Sequence, residues 1–264
     1  MVNNPFLPKA YEILEIRKET EIDYTFIISY KGELVGGQFM EISIPGVGEA
    51  PISISGFDDG WMALTIRKVG RLTDQVFELD KGDVLYLRGP YGNGFDLDLF
   101  RNRDVAFIAG GTGLAPVHQT INYLITHPDQ IKHLDVLVGF KTPKDRLFVD
   151  DLNRWSKSAN VIVTVDIADE EWKQETGLIP THLDKLDLSQ VEEKIAVVVG
   201  PPIMMKFTTL ELIKKGFKEE NIWVSFERKM SCGIGKCGHC KIDETYVCLE
   251  GPVFNYCKAK NLVD

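Results

Sequence analysis

The sequence predicts an antiparallel β barrel, then an α/β domain with a parallel sheet, then a small C-terminal segment rich in cysteine. Three changes of texture carry this expectation. Early runs such as "DYTFIISY", "QFMEISI" and "WMALTIR" are rich in Ile, Val and aromatic residues and punctuated by Gly, Pro and Asp. Later runs such as "DVAFIAG", "LDVLVGF", "NVIVTVD" and "IAVVVG" alternate with helical spacing, and after Glu227 the Gly and Cys content rises while periodicity ends. The boundaries fall at 1–99, 100–227 and 228–264.

The first domain reads as antiparallel structure because β-branched and aromatic residues suit a pleated surface while Gly, Pro and Asp mark the turns. The second reads as a parallel sheet covered by helices, since "LAPVHQTINYLITH" and "PIMMKFTTLELIKKG" separate strands that are apolar throughout. No internal repeat or low-complexity linker interrupts the chain.

Composition narrows the function. The chain has 264 residues, 44% hydrophobic and 26% charged, enough to bury a core and form more than one domain. A net charge of -9 spread along the chain argues against a nucleic-acid partner, which needs a basic stripe. The start "MVNNPFLPKAYEILEI" lacks a basic leader with an apolar segment, and no stretch reaches the roughly 18 apolar residues of a membrane span. The expectation is a cytoplasmic protein with no membrane insertion. Thiols there stay reduced, so clustered cysteines point to a metal before disulfides.

Two glycine turns open helices in the second domain. "AGGTGLAPV" (Ala109 to Val117) follows the strand "DVAFI", and "VVVGPPIMMKF" follows a later strand. Gly110, Gly111 and Gly113 let a backbone approach a ligand, and a helix N-terminus favours a pyrophosphate. In a parallel sheet both turns lie at carboxyl ends of strands, where ligands bind. Each turn alone is equally well a plain strand-to-helix connection, because the spacing is not GxGxxG. In the first domain, "RKVGRLTDQVF" sets Gly70 before Thr73 or Asp74 as a helix cap with or without an anion. "GPYGNGF", Gly89 to Phe95, reads as a second phosphate candidate or as a Gly-rich connection.

Four of the five cysteines fall as C-x4-C-x2-C-x7-C, at Cys232, Cys237, Cys240 and Cys248, with Gly233, Gly235 and Gly238 between the first three. The C-x4-C-x2-C spacing is that of plant-type [2Fe–2S] ferredoxins, and the glycines permit turns that aim N–H groups at sulfur. The competing reading is a structural zinc, which usually shows two CxxC pairs where this chain has one. A Rieske site needs two His, and only His239 is near. Cys257 is left over.

In their order, "APISIS", the Gly70-to-Thr73 turn, "GPYGNGF", "AGGTGLAP", "VGPPIM" and "ERKMSCGIGKCGHC" resemble the ferredoxin-NADP reductase superfamily. The resemblance is to its electron-transfer subunits that append a [2Fe–2S] domain, those of dihydroorotate dehydrogenase among them, and it spans nearly the whole chain. "VGEAPISIS", "DGWMALTIRKVG" and the C-x7-C closure look closer to the electron-transfer subunits of anaerobic sulfite reductases.

The resemblance implies a flavin-binding barrel, an NAD(P)H-binding domain and an iron–sulfur domain, with FAD, a [2Fe–2S] cluster and NADH or NADPH as cofactors. Pro51, Ile52 and Ser53 would border the flavin, and Gly70 and Thr73 would hold its phosphates. Gly111, Thr112 and Gly113 would receive the nicotinamide nucleotide, and Gly200, Pro201 and Met204 would line the nicotinamide side. Where the family's flavin motif begins with Arg this chain has Ala50, so Arg67 or Lys68 would substitute; where many members have Cys before the Gly-Pro turn, it has Val199.

Nicotinamide gives two electrons as hydride, a [2Fe–2S] cluster takes one, and a flavin handles both, so a flavin belongs between them. No acid-base triad or carboxylate pair is required, and no catalytic side chain stands out. The expected partners are NAD(P)H and other subunits of a multi-subunit reductase, the sulfite-reducing subunits first, with a dihydroorotate dehydrogenase or hydrogenase as alternatives. A non-catalytic zinc-stabilised binding module is the reading from another class. "NVIVTVD" is followed by Asp166, Asp169, Glu170 and Glu171, which repel a 2′-phosphate and favour NADH, with Lys141 and Lys144 as counterweight.

Overall fold

The computed structural model describes residues 4–262; residues 1–3 and 263–264, at the ends of the expected first and third domains, lie outside them. Packing divides the described residues into two compact units, one running to Gly94 and including Phe226–Pro252, the other made of Phe95–Ser225 and residues 253–262. The cysteine-rich segment thus packs with the barrel, and the residues after it pack with the parallel sheet.

The first unit holds β1 (Lys9–Lys18), β2 (Asp23–Ser29), β3 (Phe39–Ile44), β4 (Gly48–Asp58), β5 (Trp61–Arg67), the short helix α1 (Arg71–Val76) and β6 (Val84–Tyr91). The six strands close into a barrel in the order β1-β2-β5-β4-β3-β6, all antiparallel. Strand alternation sends Met40, Ile42, Leu85 and Leu87 into the barrel core with Phe26, Ile54 and Leu64. Their neighbours Glu41 and Arg88 therefore point outward, and these two residues face each other across β3 and β6.

The second unit holds β7 (Asp104–Gly110), α2 (Ala115–Thr126), β8 (His133–Phe140), α3 (Val149–Trp155), β9 (Asn160–Val165), β10 (Glu175–Thr176), β11 (Ile195–Val199), α4 (Pro202–Lys214) and β12 (Ile222–Ser225). After β13 (Lys241–Ile242), β14 (Thr245–Tyr246) and α5 (Val247–Glu250) of the first unit, β15 (Val253–Asn255) and α6 (Tyr256–Ala259) complete the second. The sheet order is β10-β9-β8-β7-β11-β12-β15, parallel except at β15. The central strands are buried on both faces, which explains their unbroken apolar composition.

The chain builds outward from β7 through β8 and β9, then returns to place β11 on the other side of β7. The strand order reverses between β7 and β11, the point at which open α/β sheets leave a crevice for a ligand. No helix among the described residues is long and apolar enough to cross a membrane.

Candidate functional site: a nucleotide crevice and a four-thiol loop

The two glycine turns singled out in the sequence meet at this reversal. Ala109 on β7 pairs with Val199 on β11, so both chains leave the sheet side by side. One continues through a 3-10 turn, Gly111–Leu114, into α2, and the other turns at Gly200 and Pro201 into α4. At Gly113 a Cβ would lie 2.6 Å from the Val199 carbonyl oxygen, closer than real Cβ atoms come. Glycine there lets the turns pack together. Pro201 and Met204 lie beside Gly110, where a Cβ would stand 3.3 Å from Pro201 Cδ and 3.4 Å from Met204 Cε. The structure thus brings together Gly111, Thr112, Gly113, Gly200, Pro201 and Met204, the whole predicted nicotinamide set.

In the barrel unit, Pro51, Ile52 and Ser53 form a half-buried run on β4. Gly70 has no heavy atom within 4 Å of where a side chain would stand, so the backbone before α1 is open to a ligand. Thr73 shapes this turn: its hydroxyl accepts from the Val69 and Gly70 N–H groups and donates to the Gly70 carbonyl. Arg67 forks its guanidinium onto the fully buried Asp23 carboxylate at 2.8 and 3.0 Å. Lys68 lies 5.8 Å from the Phe77 ring centroid.

The four motif cysteines all lie in the same unit, three in the glycine-rich loop 231–240 and Cys248 on α5. Cys232, Cys240 and Cys248 are buried and Cys237 is exposed. Cys232 Sγ accepts from the backbone N–H groups of Ile234, Lys236 and Cys237 at 3.5, 3.3 and 3.4 Å, and Cys248 Sγ accepts from Gly235 N–H at 3.2 Å. A backbone N–H from His239 and the thiol of Cys232 lower the pKa of Cys237, while burial and then the thiol of Cys240 push the pKa of Cys248 up to about 12.

A buried thiol with so high a pKa is an inert group unless a cation takes its proton's place. Among the described residues, no three His, Cys, Asp or Glu side chains converge on a position for one metal ion. Four thiols with N–H groups aimed at sulfur suit a two-iron cluster, in which each iron takes two thiolates. His239 is exposed, and Cys257 lies on α6 in the other unit.

Sequence reading missed the polar layer under this loop. Arg88, with a side chain 4% exposed, forks onto Glu49 at 2.6 Å and donates to the backbone carbonyls of Ser231 and Cys232. Glu41 is fully buried, and neither carboxyl oxygen has a hydrogen-bond partner. The available signal was a charge in the middle of the apolar runs "FMEISI" and "VLYLRG".

Burial pushes the Glu41 carboxyl up to about 7 against the pull of Arg88, with Glu49 and Cys232 adding to the rise. A carboxyl raised on folding contributes stability below its unfolded value and loses it as pH climbs through its folded value. Glu41→Gln is therefore expected to gain about 2 kcal/mol over the unmodified chain between pH 5 and pH 8. Urea unfolding of the metal-free proteins at both pH values checks this.

A barrel joined to a doubly wound sheet, with an NAD-type crevice at the strand-order reversal, defines an oxidoreductase with the ferredoxin-NADP reductase fold. The chain belongs to the family of electron-transfer subunits typified by that of dihydroorotate dehydrogenase B. Residues 107–209 match the oxidoreductase NAD-binding domain, and residues 227–259 match the iron-sulfur cluster binding domain of dihydroorotate dehydrogenase B.

The chain is 34% identical to the sulfhydrogenase 1 subunit gamma of Pyrococcus furiosus, over 96% of this chain and 92% of that one. It is also 34% identical to a protein of Methanothermobacter thermautotrophicus named as a probable dihydroorotate dehydrogenase B (NAD(+)) electron transfer subunit, over 94% and 89%. Among solved structures, an NADH-dependent reduced ferredoxin-NADP oxidoreductase aligns with a TM-score of 0.79 at 25% identity, covering 99% of this chain and 94% of that one.

Proposed function

We propose that this subunit takes electrons from NADH, passes them through FAD and a [2Fe–2S] cluster, and delivers them singly to a partner subunit of a multi-subunit reductase. The observation that carries the reading is the set of four spaced thiols with backbone N–H groups aimed at the sulfurs of Cys232 and Cys248. A bound flavin would convert hydride into single electrons. The protein's own part is to hold and orient: residues 1–99 for FAD, 100–227 for the nicotinamide nucleotide, and Cys232, Cys237, Cys240 and Cys248 for iron. Pro51, Ile52, Ser53 and the Gly70 turn border the flavin in this reading, with Thr73 acting through the turn it shapes. Arg67 keeps its bond to Asp23, so Lys68 is the nearer substitute for the Arg missing at Ala50.

The partner we favour reduces sulfite, on the motif resemblance. A hydrogenase partner is the second reading, favoured by the match to a sulfhydrogenase gamma subunit. Absorption and EPR spectra of anaerobically purified protein test the cofactors: flavin and iron–sulfur bands support the reading, and a colourless zinc protein overturns it. Oxidation of NADH by the native complex with sulfite, with dihydroorotate's oxidised product, or with protons as sole acceptor tests the partner.

The donor is expected to be NADH. Asp166, Asp169, Glu170 and Glu171 are exposed beyond the end of β9, where a carboxylate accepts from ribose hydroxyls and repels a 2′-phosphate. Partial desolvation raises the Asp166 carboxyl above its usual range and Lys141 pulls it back, so its charge is partly answered there. A tenfold higher kcat/KM with NADH needs only about 1.4 kcal/mol. Steady-state dye reduction at matched ionic strength checks it, and equal use of NADPH would refute the acidic-loop argument.

A further inference from the structure

Arg88 uses every donor it has. A guanidinium carries five N–H groups in a rigid fork. Nε and Nη2 donate to the two Glu49 oxygens at 2.6 Å each, Nη1 donates to Tyr91 Oη at 3.2 Å, and the remaining two reach the carbonyls of Cys232 and Ser231. Those carbonyls belong to the peptide groups on either side of the Cys232 Cα. Because a peptide group is planar, holding its carbonyl fixes its orientation, and holding both fixes φ and ψ of the residue between them.

The Cβ direction of Cys232 follows from that backbone. Its sulfur is then delivered to the N–H groups of Ile234, Lys236 and Cys237. Glu49 fixes the fork, and β6 carries it on the closed barrel. The Tyr91 ring closes the other side, at 2.8 Å from where a Cβ would stand on Gly233, a residue with φ +69.

We propose that Arg88 is the positioning residue for the first thiolate ligand of the cluster. It locks Cys232 from behind, and its guanidinium balances the Glu49 carboxylate, whose charge left unpaired would make the cluster harder to reduce. The proposal rests on the iron–sulfur reading above. Lysine cannot replace this function, because three rotatable donors do not reproduce a five-donor fork.

The test compares the full chain with Arg88→Met and Arg88→Lys. In the metal-free proteins, amide exchange at Ile234, Lys236 and Cys237 is expected to be at least tenfold faster in both variants. After reconstitution with iron and sulfide, Arg88→Met is expected to keep less than half the iron through gel filtration. By EPR-monitored titration its remaining cluster should hold the electron about tenfold less tightly, a midpoint about 59 mV lower for a one-electron couple. Arg88→Lys, which retains the charge, should show a midpoint nearer the unmodified value.

Unmodified exchange rates and midpoint in a folded Arg88→Met protein would overturn the inference. If that variant does not fold, exchange in Arg88→Lys decides, unmodified rates overturning the inference and faster rates upholding it. An unmodified chain that takes up no iron overturns the cluster reading itself, and the inference with it.

Discussion

Cys240→Ser is expected to leave NADH reduction of the bound flavin within about twofold of the unmodified rate while transfer to a one-electron partner falls by more than about 100-fold. Changing a group that merely supports a metal ligand costs about 10- to 100-fold, and losing the ligand costs more. Cys240 is buried and associates with Cys248, so its loss leaves Cys248 without that partner. A serine hydroxyl does not supply the thiolate that iron requires. The residues proposed to receive nicotinamide, by contrast, lie in the other compact unit. Stopped-flow bleaching of the flavin and iron analysis on the same preparation check the division. Loss of bleaching in a folded, FAD-containing variant would show that the two functions are not separable.

Lys194→Met is expected to cost about 3–5 kcal/mol of stability, the penalty for removing one member of a buried ion pair. Lys194 and Asp135 are both fully buried; the ammonium donates to Asp135 Oδ2 and, at 2.6 Å, to the Asp187 carbonyl. Asn160 donates to the other Asp135 oxygen at 2.5 Å. Without the lysine, the buried carboxylate keeps Asn160, the Asp187 N–H and His133 as partners but loses the ammonium that balances its charge. The double variant Asp135→Leu with Lys194→Met is expected to lose less than Lys194→Met alone, because two apolar groups leave no orphaned charge. Urea unfolding of the two proteins and the unmodified chain measures the difference. A single-variant loss under about 1 kcal/mol would mean that water or rearrangement compensates the charge.

Most of the architecture was legible because it is written in local patterns. Alternation within "QFMEISI" sends Met40 and Ile42 into a barrel, and runs apolar throughout, such as "IAVVV", announce strands covered on both faces. The glycine turns and the C-x4-C-x2-C spacing were readable for the same reason, since each needs particular residue types at fixed offsets over a few positions. The third region was harder to divide. Residues 226–252 join the barrel, whereas Val253–Asn255 adds an antiparallel strand beside β12, and a three-residue strand has too little periodicity to show.

What the sequence determined by itself was therefore the set of elements and the short motifs: barrel strands, parallel strands, two helix-opening turns and four spaced thiols. Tertiary structure decided which of these meet. It set the Gly113 turn against Val199, forked Arg67 onto Asp23, and covered the outward face of β3 and β6 with the thiol loop. That cover turns Glu41 and Arg88, which alternation assigns to solvent, into a buried carboxyl and a five-donor anchor. The physical reason is one of range. Side-chain alternation and turn preference act over neighbouring residues, whereas desolvation of a charge depends on chain that arrives more than 140 positions later, as Ser231 and Cys232 do over Arg88.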